Sequence, residues 1–113
     1  MKEFMMIFVG GDYETAQLSP EEMQGRLEKW NAWVTELQNE DLYIEGKALQ
    51  NASKRISGVD QVATDGPFVE TKELVTGYFL FKANDMDHAT KLTSKFPDYD
   101  LGGQVEIREI AQF

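Results

Sequence analysis

The chain has 113 residues, of which 42% are hydrophobic and 27% charged, and it contains no cysteine. This composition predicts one folded domain over residues 1–113 and excludes disulfides, thiolate nucleophiles and thiolate metal sites. A formal net charge of −9 opposes the neutralisation of phosphates, so we expect no nucleic-acid partner.

The first predicted element is a strand over residues 4–9 that carries apolar side chains on both faces. Phe4, Met6 and Phe8 share one face of it. Its apolar run is too short for a secretion signal or a membrane span. Together with the lack of cysteine, this predicts a soluble cytoplasmic protein with no membrane partner.

A helix is predicted to begin at Ser19-Pro20-Glu21-Glu22, because this run combines an N-cap serine, a first-turn proline and the glutamate of a capping box. One apolar stripe then repeats at helical spacing, formed by Met23, Leu27, Trp30, Val34 and Leu37. We therefore expect Trp30 in the core. Trp33 flanks the stripe and is the candidate to wall a ligand pocket or an interface.

Residues 42–49 predict a second strand, in which strict alternation places Tyr43, Glu45 and Lys47 on one face. If that face meets a partner subunit, its side chains line an internal cavity, and we take Tyr43 and Lys47 as candidate ligand-binding residues. Residues 54–64 are compatible with a hairpin that turns near Gly58.

The last third of the chain predicts a strand, a short helix and an edge strand. Residues 77–83 form a strand in which Tyr78-Phe79-Leu80-Phe81 is apolar on both sides, which is typical of a central strand. Asn84 or Asp85 caps the helix, which ends before Pro97. Residues 104–110 alternate as a half-exposed edge strand does.

This order of elements predicts the α+β class, with a ferredoxin-like split βαβ sheet and two helices on one face. The two helices leave the other sheet face uncovered, although the strands at 4–9 and 77–83 direct large apolar side chains to it. Burying each such side chain contributes about 1.5–3 kcal/mol. We therefore expect a homodimer in which two sheets stack face to face.

A dense group of ionisable side chains accompanies a rigid turn at Asp65-Gly66-Pro67-Phe68, which we expect to be a loop. Asp65 is either a turn former or a general base at the rim of a cleft. Glu70 is either a solvated residue or the second carboxylate, which would raise the pKa of the base. On an extended segment, Lys72 would point to the same side as Glu70, and it is a candidate ligand-binding residue.

These residues, DGPF followed by ETKE over Asp65–Glu73, resemble the motif of the YCII-related, or DGPF, domain family. The resemblance covers nearly the whole chain and includes Gly77-Tyr78-Phe79-Leu80 and Val105-Glu106-Ile107-Arg108. It implies a dimeric α+β barrel. Better-characterised relatives are associated with a His and Asp pair, whose His follows the first strand. Residues 12–22 contain no histidine, so the resemblance does not supply that mechanism.

No metal and no cofactor are expected. The single histidine, His88, is predicted to lie on the exposed side of the second helix, and no carboxylates cluster at helical i, i+4 spacing. Gly10-Gly11 lacks the lysine and hydroxyl residues of a phosphate-binding loop.

Two functions stay open. The first is a cofactor-independent enzyme that performs acid/base chemistry on a small molecule between the stacked sheets. Asp65 or Glu70 would be its base, and Lys47 or Lys72 would stabilise negative charge. The second is a non-catalytic small-molecule-binding or regulatory module. The resemblance suggests a link to transcription through protein contacts, because family members are often encoded near alternative sigma factors. A scaffold without ligand is a third alternative.

Overall fold

A computed structural model describes residues 1–66 and 73–113 of the chain. Within these residues the protein has the predicted α+β class, with a four-stranded antiparallel sheet, a two-stranded ribbon and three α-helices. The strands are β1 (Lys2–Val9), β2 (Tyr43–Ala48), β3 (Ser53–Ser57), β4 (Val62–Gly66), β5 (Val75–Ala83) and β6 (Gln104–Glu109). The helices are α1 (Tyr13–Ala16), α2 (Pro20–Asn39) and α3 (Met86–Lys91), with 3₁₀ turns at Leu92–Lys95 and Tyr99–Leu101.

The large sheet has the strand order β2-β5-β1-β6, and every neighbouring pair is antiparallel. The prediction that β5 is central is confirmed, since it pairs with both β2 and β1, and β1 is central as well. Phe8 of β1 opposes Gly77 on one side and Val105 on the other. No helix among the described residues is both long and apolar enough to cross a membrane.

The core lies on the face of the sheet that α2 and α3 cover. Edge-to-face ring contacts are prominent in it, because the ring centroid of Phe8 lies 5.0 Å from those of both Trp30 and Phe79, at interplanar angles of 73° and 85°. The buried members are Phe4, Met6, Phe8, Trp33, Leu37, Leu42, Phe79, Phe81, Ala83, Ala89 and Phe96.

The start of α2 follows the prediction in atomic detail. The Ser19 hydroxyl accepts a hydrogen bond from the backbone N–H of Glu22 at 3.1 Å. The Glu22 carboxylate in turn accepts one from the backbone N–H of Ser19 at 3.2 Å. This reciprocal pair satisfies two backbone donors that a helix start otherwise leaves without a partner.

The buried side of α2 is rotated from the predicted stripe. Trp33 is 2% exposed, whereas Leu27 is 50% exposed. Trp33 packs on Phe79 with 5.0 Å between ring centroids, and its indole N–H donates to the carbonyl of Leu92 at 3.1 Å. The prediction of Trp33 as a pocket wall is therefore wrong, because packing of α2 against β5 and the turn after α3 places this side chain in the core.

A bulge in β2 changes the face predicted for Tyr43. Tyr43 opposes Phe81, but Glu45 opposes Leu80, so one additional residue lies between them in β2. Tyr43 therefore shares the covered face with the buried Phe81, and Glu45 and Lys47 lie on the opposite face. The prediction that these three residues share one face was wrong, because strict alternation does not continue across a bulge.

The opposite face of the sheet carries an apolar band that we call the outer stripe. The register places Met5 beside Leu80 and Ile7 beside Tyr78. None of these side chains belongs to the core cluster, although all are partly buried. The outer stripe consists of Met5, Ile7, Val9, Tyr78 and Leu80.

The hairpin predicted near Gly58 is confirmed, with β3 and β4 as its strands. Asp65 opposes Lys54 in this ribbon, and Gly66 is the last residue of β4. The first two residues of the DGPF motif are therefore in a strand and not in a loop, because β4 continues pairing through them. The candidates Glu70 and Lys72 lie outside the described residues.

Candidate functional site

A pocket of about 560 Å³ opens on the covered face of the sheet, beneath α2. Its volume is in the range of about 300–1,000 Å³ that is typical of ligand sites. The prediction placed a cavity between two stacked sheets, but this pocket lies on the other side of the sheet. Its apolar walls are formed by Phe8, Leu27, Trp30, Val34, Tyr43, Ala48, Leu49 and Phe79.

The aromatic wall depends on the glycine at position 46. A Cβ atom there would lie 2.4 Å from the Phe79 ring and 2.7 Å from the Tyr43 hydroxyl oxygen. Only glycine leaves room for these two rings to lie so close to the backbone of position 46. Burial raises the pKa of the Tyr43 phenol, and the charge of Glu45 raises it further. Tyr43 therefore presents a neutral hydroxyl to the pocket.

A hydrogen-bonded cluster contributes polar groups to the pocket lining, which includes Tyr13, Trp30 and Asp98. The Tyr13 hydroxyl donates to the carboxylate of Asp98 at 2.8 Å and accepts from the indole N–H of Trp30, also at 2.8 Å. Arg26 forms an ion pair with Asp98 at 3.0 Å. Asp98 is 5% exposed, so these partners satisfy a carboxylate that has almost no contact with water.

Burial is the main cause of the pKa shifts of Tyr13 and Asp98. Burial raises the pKa of Asp98, although hydrogen bonds from Tyr13 and Arg26 act in the opposite direction. Burial also raises the pKa of Tyr13 well above its ordinary range. The pair therefore consists of a phenol that keeps its proton and a carboxyl group that takes up a proton more readily than an exposed aspartate.

Arg26 holds the segment that presents Asp98. Its guanidinium donates two hydrogen bonds to Asp100, at 2.9 and 2.8 Å, and one to the carbonyl of Pro97 at 3.1 Å. These bonds lower the pKa of Asp100. A bidentate pair fixes geometry as well as charge, so Arg26 determines where the Asp98 carboxylate lies.

Two further carboxylates lie where the pocket meets solvent. Asp12 caps α1 by accepting from the backbone N–H of Glu14 at 3.2 Å. The Asn51 side-chain amide donates to Asp12 at 3.0 Å and to Glu14 at 3.1 Å, which joins the segment after β2 to α1. Neither carboxylate forms an ion pair with any residue of 1–66 or 73–113. We call Asp12, Glu14 and Asn51 the acidic rim.

The structure separates the residues predicted to form a site. Tyr43 lines the pocket, and Lys47 borders it although strand alternation directs its side chain to the other face of the sheet. Trp33 is in the core. The Asp65 side chain is 83% exposed, lies 3.4 Å from Lys54, and is not among the residues that line the pocket. A general base was expected to be partly buried, and the Asp65 side chain is not.

Sequence reasoning missed the polar members of the pocket. Tyr13 and Asp98 are 85 positions apart, and no spacing in the chain links them. The one available signal was Trp30, whose indole N–H requires a hydrogen-bond acceptor when it is buried.

The described residues contain no group of three or more carboxylate or imidazole side chains that could hold a metal ion. The Nδ1 atom of His88 accepts a hydrogen bond from the backbone N–H of Asn84 at 2.9 Å, and its own backbone N–H donates to Asp85 at 2.8 Å. His88 therefore has a local role at the start of α3.

Comparison with known proteins supports the resemblance noted from the motifs. The model of the YCII-related domain matches residues 4–113. No curated protein matches the chain.

Proposed function

The chain belongs to the YCII-related domain family, and on that premise we propose that it binds a small, largely apolar molecule in the pocket beneath α2. The observation that carries this proposal is the pocket itself, with aromatic walls and a hydrogen-bonded cluster in its lining. A mainly apolar cleft with a few oriented polar groups is the usual form of a small-molecule site.

The walls of the pocket give a ligand a source of binding energy. Leu27 is 50% exposed there, and Trp30 and Tyr43 are only partly buried. Covering apolar surface of this kind contributes roughly 25 cal/mol per Å². A flat apolar molecule that enters between α2 and β2 would recover that energy without any rearrangement of the core.

A screen of small molecules by thermal shift tests the proposal, with one variant that fills the pocket and one control. Ala48→Phe places a ring in the pocket, and Val62→Phe adds the same ring to the exposed ribbon. Molecules that raise the melting temperature of the wild type should lose this effect in Ala48→Phe and keep it in Val62→Phe. An equal response of both variants would place binding elsewhere.

Acid/base catalysis is the second candidate function, and the state of Asp98 favours it. A buried carboxyl group with a raised pKa beside a pocket is a typical general base. Asp98 is better supported in this role than Asp65, whose side chain is 83% exposed. Turnover of a bound molecule that is lost in Asp98→Asn, with binding retained, would support an enzyme over a binding module.

We also propose a ferredoxin-like dimeric α+β barrel, formed when the outer stripes of two copies stack. Three observations support it: the strand order β2-β5-β1-β6, the placement of α2 and α3 on one face, and the apolar character of the opposite face. Sheets pack face to face about 10 Å apart, which is close enough for two such stripes to exclude water. We further propose that the protein acts in the cytoplasm, in keeping with a chain that has no cysteine.

A further inference from the structure

We propose that the ligand of the pocket carries a positive charge, as an amine or ammonium group attached to a small apolar body. This inference rests on the proposed function, because it specifies the charge of the molecule that the pocket binds. It is carried by the acidic rim together with the aromatic walls.

The charges around the pocket favour a cation. Asp12, Glu14 and Asp98 contribute carboxylates to its lining, and the ion pair with Arg26 offsets only the last of these. Lys47 is the basic residue that borders the pocket, and its side chain lies on the other face of the sheet. The described lining therefore presents two uncompensated negative charges at the opening.

The acidic rim is held in place before a ligand arrives. Asn51 donates to Oδ1 of Asp12 and to Oε2 of Glu14. The second oxygen of each carboxylate has no hydrogen-bond donor within residues 1–66 and 73–113. These two oxygens can accept N–H groups from an ammonium ion, and such charge-assisted bonds are stronger than neutral ones.

The aromatic walls suit the same ligand. The negative faces of aromatic rings attract a cation within about 6 Å, and tryptophan and tyrosine do so most strongly. Trp30 of α2 and Tyr43 of β2 both line the pocket, and both rings contact Phe79. The apolar body would pack against these rings, with its charged end directed to the acidic rim.

An anionic ligand has no comparable partner among residues 1–66 and 73–113. Arg26 is already bound by Asp98 and Asp100, and its guanidinium is directed to them. A carboxylate or phosphate that entered the pocket would lose its hydration without gaining a positive group among the described residues. The net charge of −9 adds a repulsion that acts on anions before they arrive.

Three probes that share one ring and differ in charge test this inference: 2-phenylethylamine, 2-phenylethanol and phenylacetate. Binding is measured by NMR titration of backbone and indole N–H signals at low ionic strength. We expect the amine to bind roughly five- to tenfold more tightly than the alcohol, and phenylacetate to bind most weakly. Raising the salt concentration should reduce the preference for the amine, because the rim charges are near solvent.

The double variant Asp12→Asn/Glu14→Gln removes the two charges and keeps groups of the same shape. We expect the amine to lose its advantage over the alcohol in this variant. Glu21→Gln, which removes one charge on the exposed first turn of α2, should keep that advantage.

The outcomes distinguish this inference from the proposed function. If the alcohol or the acid shifts the signals of pocket residues and binds as tightly as the amine, the charge inference is overturned while the pocket is retained as the ligand site. If none of the three probes shifts the signals of Trp30 and its pocket neighbours, both proposals are overturned.

Discussion

The Tyr13 hydroxyl donates a hydrogen bond to the Asp98 carboxylate at 2.8 Å, across 85 positions of sequence. This contact joins the segment after β1 to the segment before β6. Because the same hydroxyl accepts from Trp30 of α2, one oxygen atom connects three parts of the chain in the lining of the pocket.

Replacing that hydroxyl should destabilise the fold. Tyr13→Phe leaves the Trp30 indole N–H without its acceptor and Asp98 without one donor. We expect a loss of about 1–3 kcal/mol in the free energy of unfolding, measured by urea denaturation. Tyr99→Phe, which removes a single hydrogen bond to the Thr93 carbonyl, should cost less. Equal losses would show that the three-way contact contributes nothing beyond one ordinary hydrogen bond.

The raised pKa of Asp98 predicts a specific pH dependence of stability. Between the ordinary value of 3.8 and the raised value, the folded state binds more protons than the unfolded state at this site. The contribution of Asp98 to stability therefore falls as pH rises through this window and is constant above it. In unfolding curves recorded from pH 3 to pH 8, the free energy of unfolding of Asp98→Asn should increase relative to that of the wild type as pH rises.

Asp100 serves as a control, because its pKa shift predicts a pH dependence of stability with the opposite sign. Its pKa is lowered, first by the hydrogen bond from Arg26, so its contribution is present above the ordinary value and is lost as pH falls through the lowered value. The free energy of unfolding of the wild type should therefore increase relative to that of Asp100→Asn as pH rises through that lower window. The same pH trend in both variants would contradict the pKa directions.

Two glycine substitutions should have opposite effects. Gly46→Ala places a Cβ 2.4 Å from the Phe79 ring, and we expect a loss of about 1–3 kcal/mol as the rings of the pocket wall shift. Gly25 lies within α2 and has no atom within 4 Å of an added Cβ. Gly25→Ala should stabilise the fold by about 0.5–1 kcal/mol, since alanine favours helices. Thermal unfolding of both variants checks this pair.

A charge in the outer stripe should separate the proposed dimer. Ile7→Asp introduces a carboxylate at the centre of the stripe, next to Tyr78. We expect a dimeric wild type and a monomeric variant in sedimentation equilibrium at micromolar concentration, because a buried unpaired charge is strongly unfavourable. Val62→Asp, on the exposed ribbon, should leave the dimer intact. A wild type that sediments as a monomer would refute the proposed stacking.

Much of the fold could be predicted because its signals are local. The capping box at Ser19 and Glu22 needs only four consecutive residues, and the structure reproduces both of its bonds. The turn near Gly58 likewise depends on its immediate neighbours. The apolar run over residues 4–9 predicted a strand, and Phe4 at its start is fully buried in β1.

The site could be predicted only in part. Tyr43 was named as a ligand-binding candidate and does line the pocket, but it does so from the face opposite to the one expected. The bulge after it depends on the register with β5, which alternation within β2 does not reveal. Trp33 lies in the core and Trp30 lines the pocket, which reverses the expectation for these two residues. Both rings pack on Phe79, and this contact with the sheet depends on the rotation of α2.

The amino-acid sequence by itself determined the class of fold, the helix start, the hairpin and the family, because each depends on residues close together in the chain or on a motif read in order. Only the tertiary structure decided which side of the sheet holds the pocket and which acid lies in it. Asp65 and Asp98 are the same residue type, and one is solvated while the other is buried against Tyr13 and Arg26. The physical reason is that burial and partner charges, which set the chemistry of a carboxylate, come from segments distant in the chain.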